Sequence, residues 1–208
     1  MSINIPNLEK NKILAPFTTY KIGGHADLFV EVYTVDDMVN AVLEARCNRI
    51  PVFLLGCGSN ILITDKGFRG LVVHNLTNRV KFIGNDKIVA ESGVIIADLI
   101  EQCQQRGLSG LEHFAGIPGT VGGAMWQNLH FLSPDRQRTV LIGKVVRAGC
   151  ILTVEGDIRT VDVDYFEFGY DSSILQKRSD IVLDVAFQLN QKPKEEIQAV
   201  ISSNLAWR

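Results

Sequence analysis

Hydrophobic positions in the first third of the chain follow two different repeats. The run ADLFVEVY, residues 26–33, is rich in β-branched and aromatic residues and predicts a buried strand. In the segment VDDMVNAVLEARCN that follows, apolar residues recur at helical spacing, and Thr34 directly before it is suited to cap a helix. VFLL, residues 52–55, predicts the next strand. For this β-α-β unit we expect a parallel strand pair joined by the helix. ILIT, 61–64, and GLVVHNL, 70–76, predict two more strands.

The pattern changes near residue 79. VKFIG and KIVAESG flank the dipeptide Asn85-Asp86 and predict a β-hairpin. Residues 95–107 have a single apolar face at helical spacing, and Gly107 is the expected stop of that helix. A second region of the chain therefore begins at about residue 79.

Alternation of apolar and polar positions returns between residues 140 and 163. LIGKVVRAGCILTV and IRTVDV on either side of Gly156-Asp157 predict an antiparallel pair. DIVLDVAFQL, 180–189, predicts the last strand, and KPKEEIQAVISSNLAWR predicts a closing helix with Pro193 near its start.

These elements predict an α+β protein with two subdomains. The first, residues 1–78, contains the β-α-β unit. The second, residues 79–208, contains a mixed or antiparallel sheet with helices.

Composition supports a folded core and argues against several partners. Hydrophobic residues make up 46% of the 208 positions and charged residues 21%, as in ordinary globular domains. The net charge is −2 and no basic run stands out, which argues against nucleic-acid binding. The longest apolar runs are far too short to span a membrane, and the N-terminal segment lacks the apolar core of a signal peptide. We therefore expect a cytoplasmic protein without a membrane partner.

Cysteine usage fits a reducing compartment. Cys47, Cys57, Cys103 and Cys150 form no CxxC pair, and no histidine stands at ligand spacing from them. We expect reduced, mostly buried thiols and no metal site.

Two glycine-rich segments carry the candidate chemistry. LLGCGSNILI follows a predicted strand, and successive backbone N–H groups in such a turn form an anion-binding nest, to which Ser59 and Asn60 add side-chain donors. In GIPGTVGGAMWQN, Gly119 or Thr120 is expected to begin a short helix with free N–H groups directed at a phosphate. Neither segment fits GxGxxG in its strand-to-helix setting, and neither has the lysine of a P-loop.

Each segment taken alone also fits a tight turn with close backbone packing. Two such turns, one in each predicted subdomain, favour a ligand with a diphosphate that lies between the subdomains.

Four motifs, in order and spacing, resemble the UDP-N-acetylenolpyruvoylglucosamine reductase (UDP-N-acetylmuramate dehydrogenase) family. They are TTYKIGGHADLFVEV, LLGCGSNILITDKGFRGLVV, AESGVIIADLI and GLSGLEHFAGIPGTVGGAMWQN. The family belongs to the wider vanillyl-alcohol-oxidase (PCMH-type) FAD-binding superfamily. The resemblance implies FAD held noncovalently between the two subdomains, NADPH as electron donor and a UDP-sugar substrate of peptidoglycan synthesis.

The resemblance also implies a set of cofactor-binding residues. These are Gly56, Cys57, Gly58, Ser59, Asn60, Ser92, Gly93, Ile117, Pro118, Gly119, Thr120, Gly122, Gly123, Gln127 and Asn128. Cys57 stands where the family commonly has a small residue and is expected to pack there; a redox role is the alternative.

The sequence departs from the family at its catalytic motif. The family reduces an enolpyruvyl double bond and uses a cation, a glutamate and a proton-donating serine. Its Tyr-Arg-x-Ser motif appears here within FGYDSSIL, so Tyr170 and Ser173 match while Asp171 replaces the arginine. Gln176 stands where the family tends to have lysine. Tyr170, Asp171 and Ser173 are therefore candidates without an assigned catalytic role.

The resemblance places the family's proton-donating serine and its late glutamate in a third, substrate-binding domain with a GSxFKNP-type segment, which does not follow in this sequence. Three interpretations are open: the FAD-binding part of a longer enzyme, a naturally short relative with different redox chemistry, or a non-catalytic flavin-binding module or subunit.

Four further side chains near these motifs have competing interpretations. Trp126 is expected in the core, with stacking on a ring as the alternative, and His113 in the core or beside the flavin. Arg136 and Arg138 are expected in a solvated loop, with replacement of the lost cation as the alternative.

Overall fold

The computed structural model describes residues 3–133 and 135–208. The chain divides into two compact units, Met1–Asn78 and Arg79–Arg208. Each has its own sheet and its own buried apolar cluster.

The first unit is a four-stranded sheet with one helix. Its elements are β1 (Glu9–Ile13), β2 (His25–Val32), α1 (Val35–Cys47), β3 (Val52–Leu55) and β4 (Phe68–Asn75). The strand order is β1-β2-β4-β3, with β1 antiparallel to β2 and both β2 and β3 parallel to β4. Thr34 caps α1 as predicted, because its hydroxyl accepts the Asp37 N–H at 3.1 Å.

The predicted β-α-β unit is present, but its two strands do not pair directly. β4 lies between β2 and β3 and is parallel to both. Its residues Leu71, Val72 and Val73 are fully buried, which is typical of a central strand covered on both faces. The apolar content of β4 therefore explains why it takes the central position.

Residues 61–64 form no strand, so that prediction is wrong. Ile61 and Ile63 do pack against the core of the first unit. The backbone instead turns, and the Thr64 carbonyl accepts the N–H groups of Gly24 and Gly67, each at 2.9 Å. The apolar run therefore marks two side chains that pack on the core, while Leu62 between them is 70% exposed and the Thr64 carbonyl is used by the turn.

The second unit contains a five-stranded antiparallel sheet in the order β11-β10-β12-β6-β5. Its longer elements are β5 (Val80–Ile83), β6 (Lys87–Glu91), α2 (Ile96–Gln104), α3 (Val121–Trp126), β10 (Val146–Leu152), β11 (Ile158–Asp162), β12 (Ile181–Gln188) and α4 (Lys194–Trp207). Two short pairs join β7 (Leu108–Ser109) to β13 (Asn190–Gln191) and β8 (His130–Leu132) to β9 (Thr139–Leu141).

Most predicted elements of the second unit are confirmed. The hairpin β5–β6, the pair β10–β11 and the closing helix after Pro193 all form. α2 ends as predicted, because Gly107 has a positive φ of 68° and its N–H donates to the Gln104 carbonyl. β10 begins later than predicted, since residues 142–144 form a 3-10 turn. The strand β12 is not the last one, because β13 follows it.

Thiol burial differs from the prediction. All four cysteines are free, but only Cys103 is buried; Cys57 and Cys150 are half-buried and Cys47 is exposed. Cys47 is exposed because it ends α1 outside the buried stripe of that helix. Within residues 3–133 and 135–208, no helix is long and apolar enough to cross a membrane, and no group of three metal-ligating side chains occurs.

Burial raises the pKa of the Cys103 thiol to about 12. The neutral thiol is therefore favoured in the folded protein, and its contribution to stability is fully present below the ordinary thiol pKa and is lost as pH rises towards 12. Between pH 8.5 and 10 we expect the free energy of unfolding of wild type to fall by about 1.5 kcal/mol more than that of Cys103→Ala. Urea unfolding at both pH values measures this, with Cys47→Ala as control. An equal fall in the free energy of unfolding of wild type and Cys103→Ala between the two pH values would contradict this prediction.

Candidate cofactor site

The first glycine-rich segment is a turn that follows β3. Gly58 is buried and has a positive φ of 65°. A Cβ at this position would lie 1.9 Å from the Phe17 carbonyl oxygen, and the Gly58 carbonyl accepts the Thr19 N–H at 3.0 Å. The chain's own backbone therefore requires glycine at position 58.

The polar side chains of this turn lie near its surface. Cys57 and Ser59 are half-buried, and the Cys57 thiol donates to the Ser59 hydroxyl oxygen at 3.4 Å. Asn60 is exposed. The half-buried position of Cys57 is compatible with the predicted packing role. The polar groups next to Gly56 are uncharged.

The second glycine-rich segment begins helix α3 at the predicted position. Thr120 is the N-cap, and its hydroxyl oxygen accepts the Gly123 N–H at 3.3 Å. The expectation of free N–H groups at this helix end is wrong. The Val121 N–H donates to the Val94 carbonyl at 2.9 Å, and the Gly122 N–H donates to the Ser92 carbonyl at 2.7 Å.

The Ser92-Gly93 turn therefore supports α3. Ser92 is fully buried directly after β6, and its carbonyl lies against the first turn of the helix. A Cβ at Gly122 would lie 3.1 Å from both the Cβ and the carbonyl oxygen of Ser92. The glycine at position 122 is thus explained by packing inside the unit.

Gly119 and Gly123 differ from the other glycines of this segment. Apart from the adjacent residues and the backbone of α3 itself, no described atom lies within 4 Å of a Cβ built at Gly119, and only the Thr120 hydroxyl oxygen, at 3.5 Å, does so at Gly123. Neither residue has a positive φ. Nothing in the described unit requires glycine at these two positions, so they fit a surface that a ligand approaches closely.

The flanks of the segment are held by the same unit. Ile117 packs on the core while Pro118 is exposed. A Cβ at Gly116 would lie 2.8 Å from the Arg208 Cδ at the end of α4. The Arg208 guanidinium donates to the Gly116 carbonyl at 3.1 Å.

Asn128 connects the end of α3 to two loops. It has a positive φ of 49° and is 1% exposed. Its amide nitrogen donates to the Gly169 carbonyl at 2.7 Å, and its amide oxygen accepts the Gly143 N–H at 3.1 Å. Both amide atoms are thus engaged inside the unit, whereas Gln127 beside it is half-buried.

The three catalytic candidates lie in the loop that Asn128 holds. Ser173 is 4% exposed, and its hydroxyl donates to the Trp126 carbonyl at 2.7 Å. Tyr170 is 70% exposed, with its ring centroid 4.4 Å from that of His130. Asp171 is exposed and has a positive φ of 52°. The structure therefore presents Tyr170 and Asp171 at the surface and turns Ser173 inward.

Two residues near this loop differ from their sequence interpretation. Trp126 is 51% exposed, so it is not a core residue. Arg136 is not simply solvated, because its guanidinium carbon lies 4.8 Å from the Trp207 ring centroid and 5.6 Å from that of Phe131. His113 is half-buried, and burial lowers its pKa. Sequence patterns could not predict the contact of Arg136 with both rings, because Phe131 and Trp207 lie far apart in the sequence.

Comparison with known proteins defines the class. Residues 26–161 match the family model described as FAD binding domain. This match covers more than half of the chain, which therefore belongs to the FAD-binding domain family. The predicted two-subdomain FAD-binding fold and the predicted cofactor, FAD, are confirmed.

Within this class the chain is similar to the FAD-binding portion of one reductase. It is 34% identical over 182 residues to UDP-N-acetylenolpyruvoylglucosamine reductase of Alkaliphilus oremlandii, covering 86% of this chain and 58% of that protein. It is 33% identical over 193 residues to UDP-N-acetylenolpyruvoylglucosamine reductase 2 of Bacillus cereus, covering 93% and 61%. The chain thus spans about three fifths of the length of these relatives.

Solved structures agree with this grouping. The UDP-N-acetylenolpyruvylglucosamine reductase of Thermus caldophilus superposes with a TM-score of 0.80 at 27% identity, covering 97% of this chain and 69% of that chain. The 6-hydroxy-D-nicotine oxidase of Arthrobacter nicotinovorans superposes with a TM-score of 0.65 at 17% identity, covering 92% and 44%, and shows likeness of fold alone.

The contacts of Gly58 predict a large loss of stability on substitution. Gly58→Ala places a methyl group against the Phe17 carbonyl, and we expect the free energy of unfolding to fall by about 3 kcal/mol or more. Gly84→Ala is the matched control, because Gly84 has a similar φ of 60° but no described atom within 4 Å of its Cβ. The control should lose only about 1 kcal/mol from the left-handed backbone. Denaturant unfolding measures both, and equal losses would refute the close approach at Gly58.

Proposed function

We propose that this chain forms the FAD-binding portion of an NADPH-dependent oxidoreductase that reduces UDP-N-acetylenolpyruvoylglucosamine in peptidoglycan synthesis. The substrate is the one in the names of its relatives. The observation that carries the proposal is the pair Gly119 and Gly123, whose missing side chains no contact of the described unit accounts for. A planar or anionic ligand approaching α3 accounts for both.

In this proposal the FAD is held mainly by backbone groups. The turn at Gly56, Cys57 and Gly58 offers N–H groups, with Ser59 and Asn60 beside them. In the other unit, Gly119 and Gly123 form the approach surface, and Ile117, Pro118 and Thr120 flank it. Ser92, Gly93 and Gly122 act behind this surface, because the Ser92 carbonyl fixes the start of α3. Gln127 and Asn128 act at its far end, where the Asn128 amide orders two loops.

Bound FAD would supply two-electron transfer from NADPH to a carbon–carbon double bond. The residues of this chain would bind and orient it. Neutral donors suit a diphosphate whose charge is spread over several oxygens, since each N–H contributes a partial positive charge without the desolvation cost of a buried ion.

Neither Ser173 nor Asp171 is suited to protonate the substrate or to stabilise its developing negative charge. The Ser173 hydroxyl donates to the Trp126 carbonyl, so its proton is not directed at a ligand. The Asp171 carboxylate repels the negative charge that develops when a double bond beside a carboxylate accepts a hydride. The exposed Tyr170 phenol is the remaining candidate in this loop for a contact with substrate.

The same observations favour a second candidate function. A flavin-binding module or subunit without independent turnover needs the FAD surface but neither a proton donor nor a cation. The inward Ser173 and the acidic Asp171 support this alternative. In both cases we place the protein in the cytoplasm, in keeping with four free thiols and a pool of NADPH.

Absorbance and turnover separate these functions. We expect the purified protein to bind FAD, with perturbed flavin absorbance bands on titration. If NADPH oxidation depends on added UDP-N-acetylenolpyruvoylglucosamine, the reductase is supported. FAD binding without a substrate-dependent rate supports the module, and no binding of FAD contradicts both.

Gly119→Ala tests the FAD surface directly. The new methyl group meets no described atom within 4 Å, so we expect the unfolding free energy of the FAD-free protein to change by less than about 0.5 kcal/mol. In contrast, the dissociation constant for FAD should rise at least about tenfold, because the methyl group occupies the ligand's side of α3. Fluorescence titration of FAD measures this, with Gly84→Ala as a control that leaves binding unchanged. Unaltered FAD affinity in Gly119→Ala would remove the main support for the proposed site.

A further inference from the structure

The C-terminal end of α3 is joined to the loop of residues 169–176 by side-chain donors. The Trp126 carbonyl, at the last residue of α3, accepts two of them: the Ser173 hydroxyl at 2.7 Å and the Gln176 amide at 3.2 Å. Carbonyls at a helix C-terminus lack helical partners, so these donors supply what the helix itself cannot.

The same Gln176 amide fixes Asp171. Its nitrogen also donates to the Asp171 carbonyl at 3.0 Å, so the Trp126 and Asp171 carbonyl oxygens are separated by at most the sum of the two donor distances. Asn128 adds a third tie through the Gly169 carbonyl. We call these three side chains, Asn128, Ser173 and Gln176, the loop clamp.

The clamp places the backbone of Asp171 beside the C-terminal end of the helix that contains Gly123. Gly123 precedes Trp126 by one turn, a rise of about 4.5 Å along the helix. The Asp171 side chain is exposed, and the Asp171 carbonyl shares the Gln176 amide with the Trp126 carbonyl, one turn from Gly123.

We propose that Ser173 and Gln176 are positioning residues that hold the Asp171 carboxylate within electrostatic reach of the flavin, so that Asp171 sets the flavin's reduction potential. This inference rests on the proposed FAD surface at Gly119 and Gly123. It gives Ser173 and Asp171 roles that do not require contact with substrate.

The sign of the effect follows from Coulomb's law. Uptake of two electrons and one proton would convert a neutral oxidised flavin into an anionic reduced flavin, and a fixed carboxylate nearby opposes this gain of negative charge. Asp171 therefore lowers the midpoint potential. Removing its charge in Asp171→Asn, which preserves size and the left-handed backbone tendency, raises the potential.

A double-mutant cycle tests the positioning role. The midpoint potential of bound FAD is measured by dye-coupled reduction in wild type, Asp171→Asn, Ser173→Ala/Gln176→Ala, and the triple variant. We expect Asp171→Asn to raise the potential in the wild-type background. In the background without the two donors, the same substitution should produce about half that rise or less, because the loop no longer holds one position.

Controls separate this result from a loss of folding. Ser172→Ala removes a hydroxyl from the neighbouring, half-buried position without touching Trp126 and should leave the full effect of Asp171→Asn. The single variants Ser173→Ala and Gln176→Ala each retain one donor to the carbonyl and serve if the double variant unfolds.

Three results would contradict the inference or the proposed function on which it rests. No change of potential in Asp171→Asn places the loop out of reach of the flavin and overturns the inference. A rise that is the same with and without Ser173 and Gln176 overturns the positioning role. Wild-type protein that binds no FAD contradicts the proposed function itself, and the inference with it.

Discussion

The short helix α3 is the element on which the candidate site depends, and it is held at both ends by the rest of its unit. Six residues are too few to form a stable helix alone, because the few hydrogen bonds of so short a helix do not offset the conformational entropy lost in nucleation. At its start the Ser92 carbonyl and the Thr120 hydroxyl accept N–H groups. At its end the Ser173 hydroxyl donates to the Trp126 carbonyl. The helix is thus ordered by tertiary contacts that leave one side, at Gly119 and Gly123, without neighbouring atoms among the described residues.

This division explains why the glycines of one segment have different roles. Gly122 lacks a side chain because Ser92 occupies the space, and Gly58 does so in the other unit because of the Phe17 carbonyl. Gly58 and Gly122 are therefore explained by packing within their own units. Gly119 and Gly123 have space for side chains and still lack them. Close approach of a ligand to the backbone would explain why both positions are glycine. Because the chain belongs to the FAD-binding domain family, we propose FAD as that ligand.

Sequence patterns predicted most helices and strands, the cap at Thr34 and the start of α3, because these depend on local propensity and local hydrogen bonds. They failed where distant segments decide. The central place of β4 between β2 and β3 depends on the burial of the whole sheet, and the turn at Thr64 depends on Gly24 and Gly67. In the site, motifs predicted the cofactor class, but the inward hydroxyl of Ser173 and the occupied N–H groups of Val121 and Gly122 follow from tertiary contacts that spacing does not encode.

We propose that FAD contacts the backbone of both glycine-rich segments. Amide hydrogen exchange of the FAD-free and FAD-saturated protein, read by mass spectrometry of overlapping peptides, tests it most directly. We expect slower exchange on FAD addition in peptides containing residues 56–60 and in peptides containing residues 116–124, with little change at the hairpin turn around Gly84. Saturation with FAD that leaves exchange in either glycine-rich segment unchanged would contradict it.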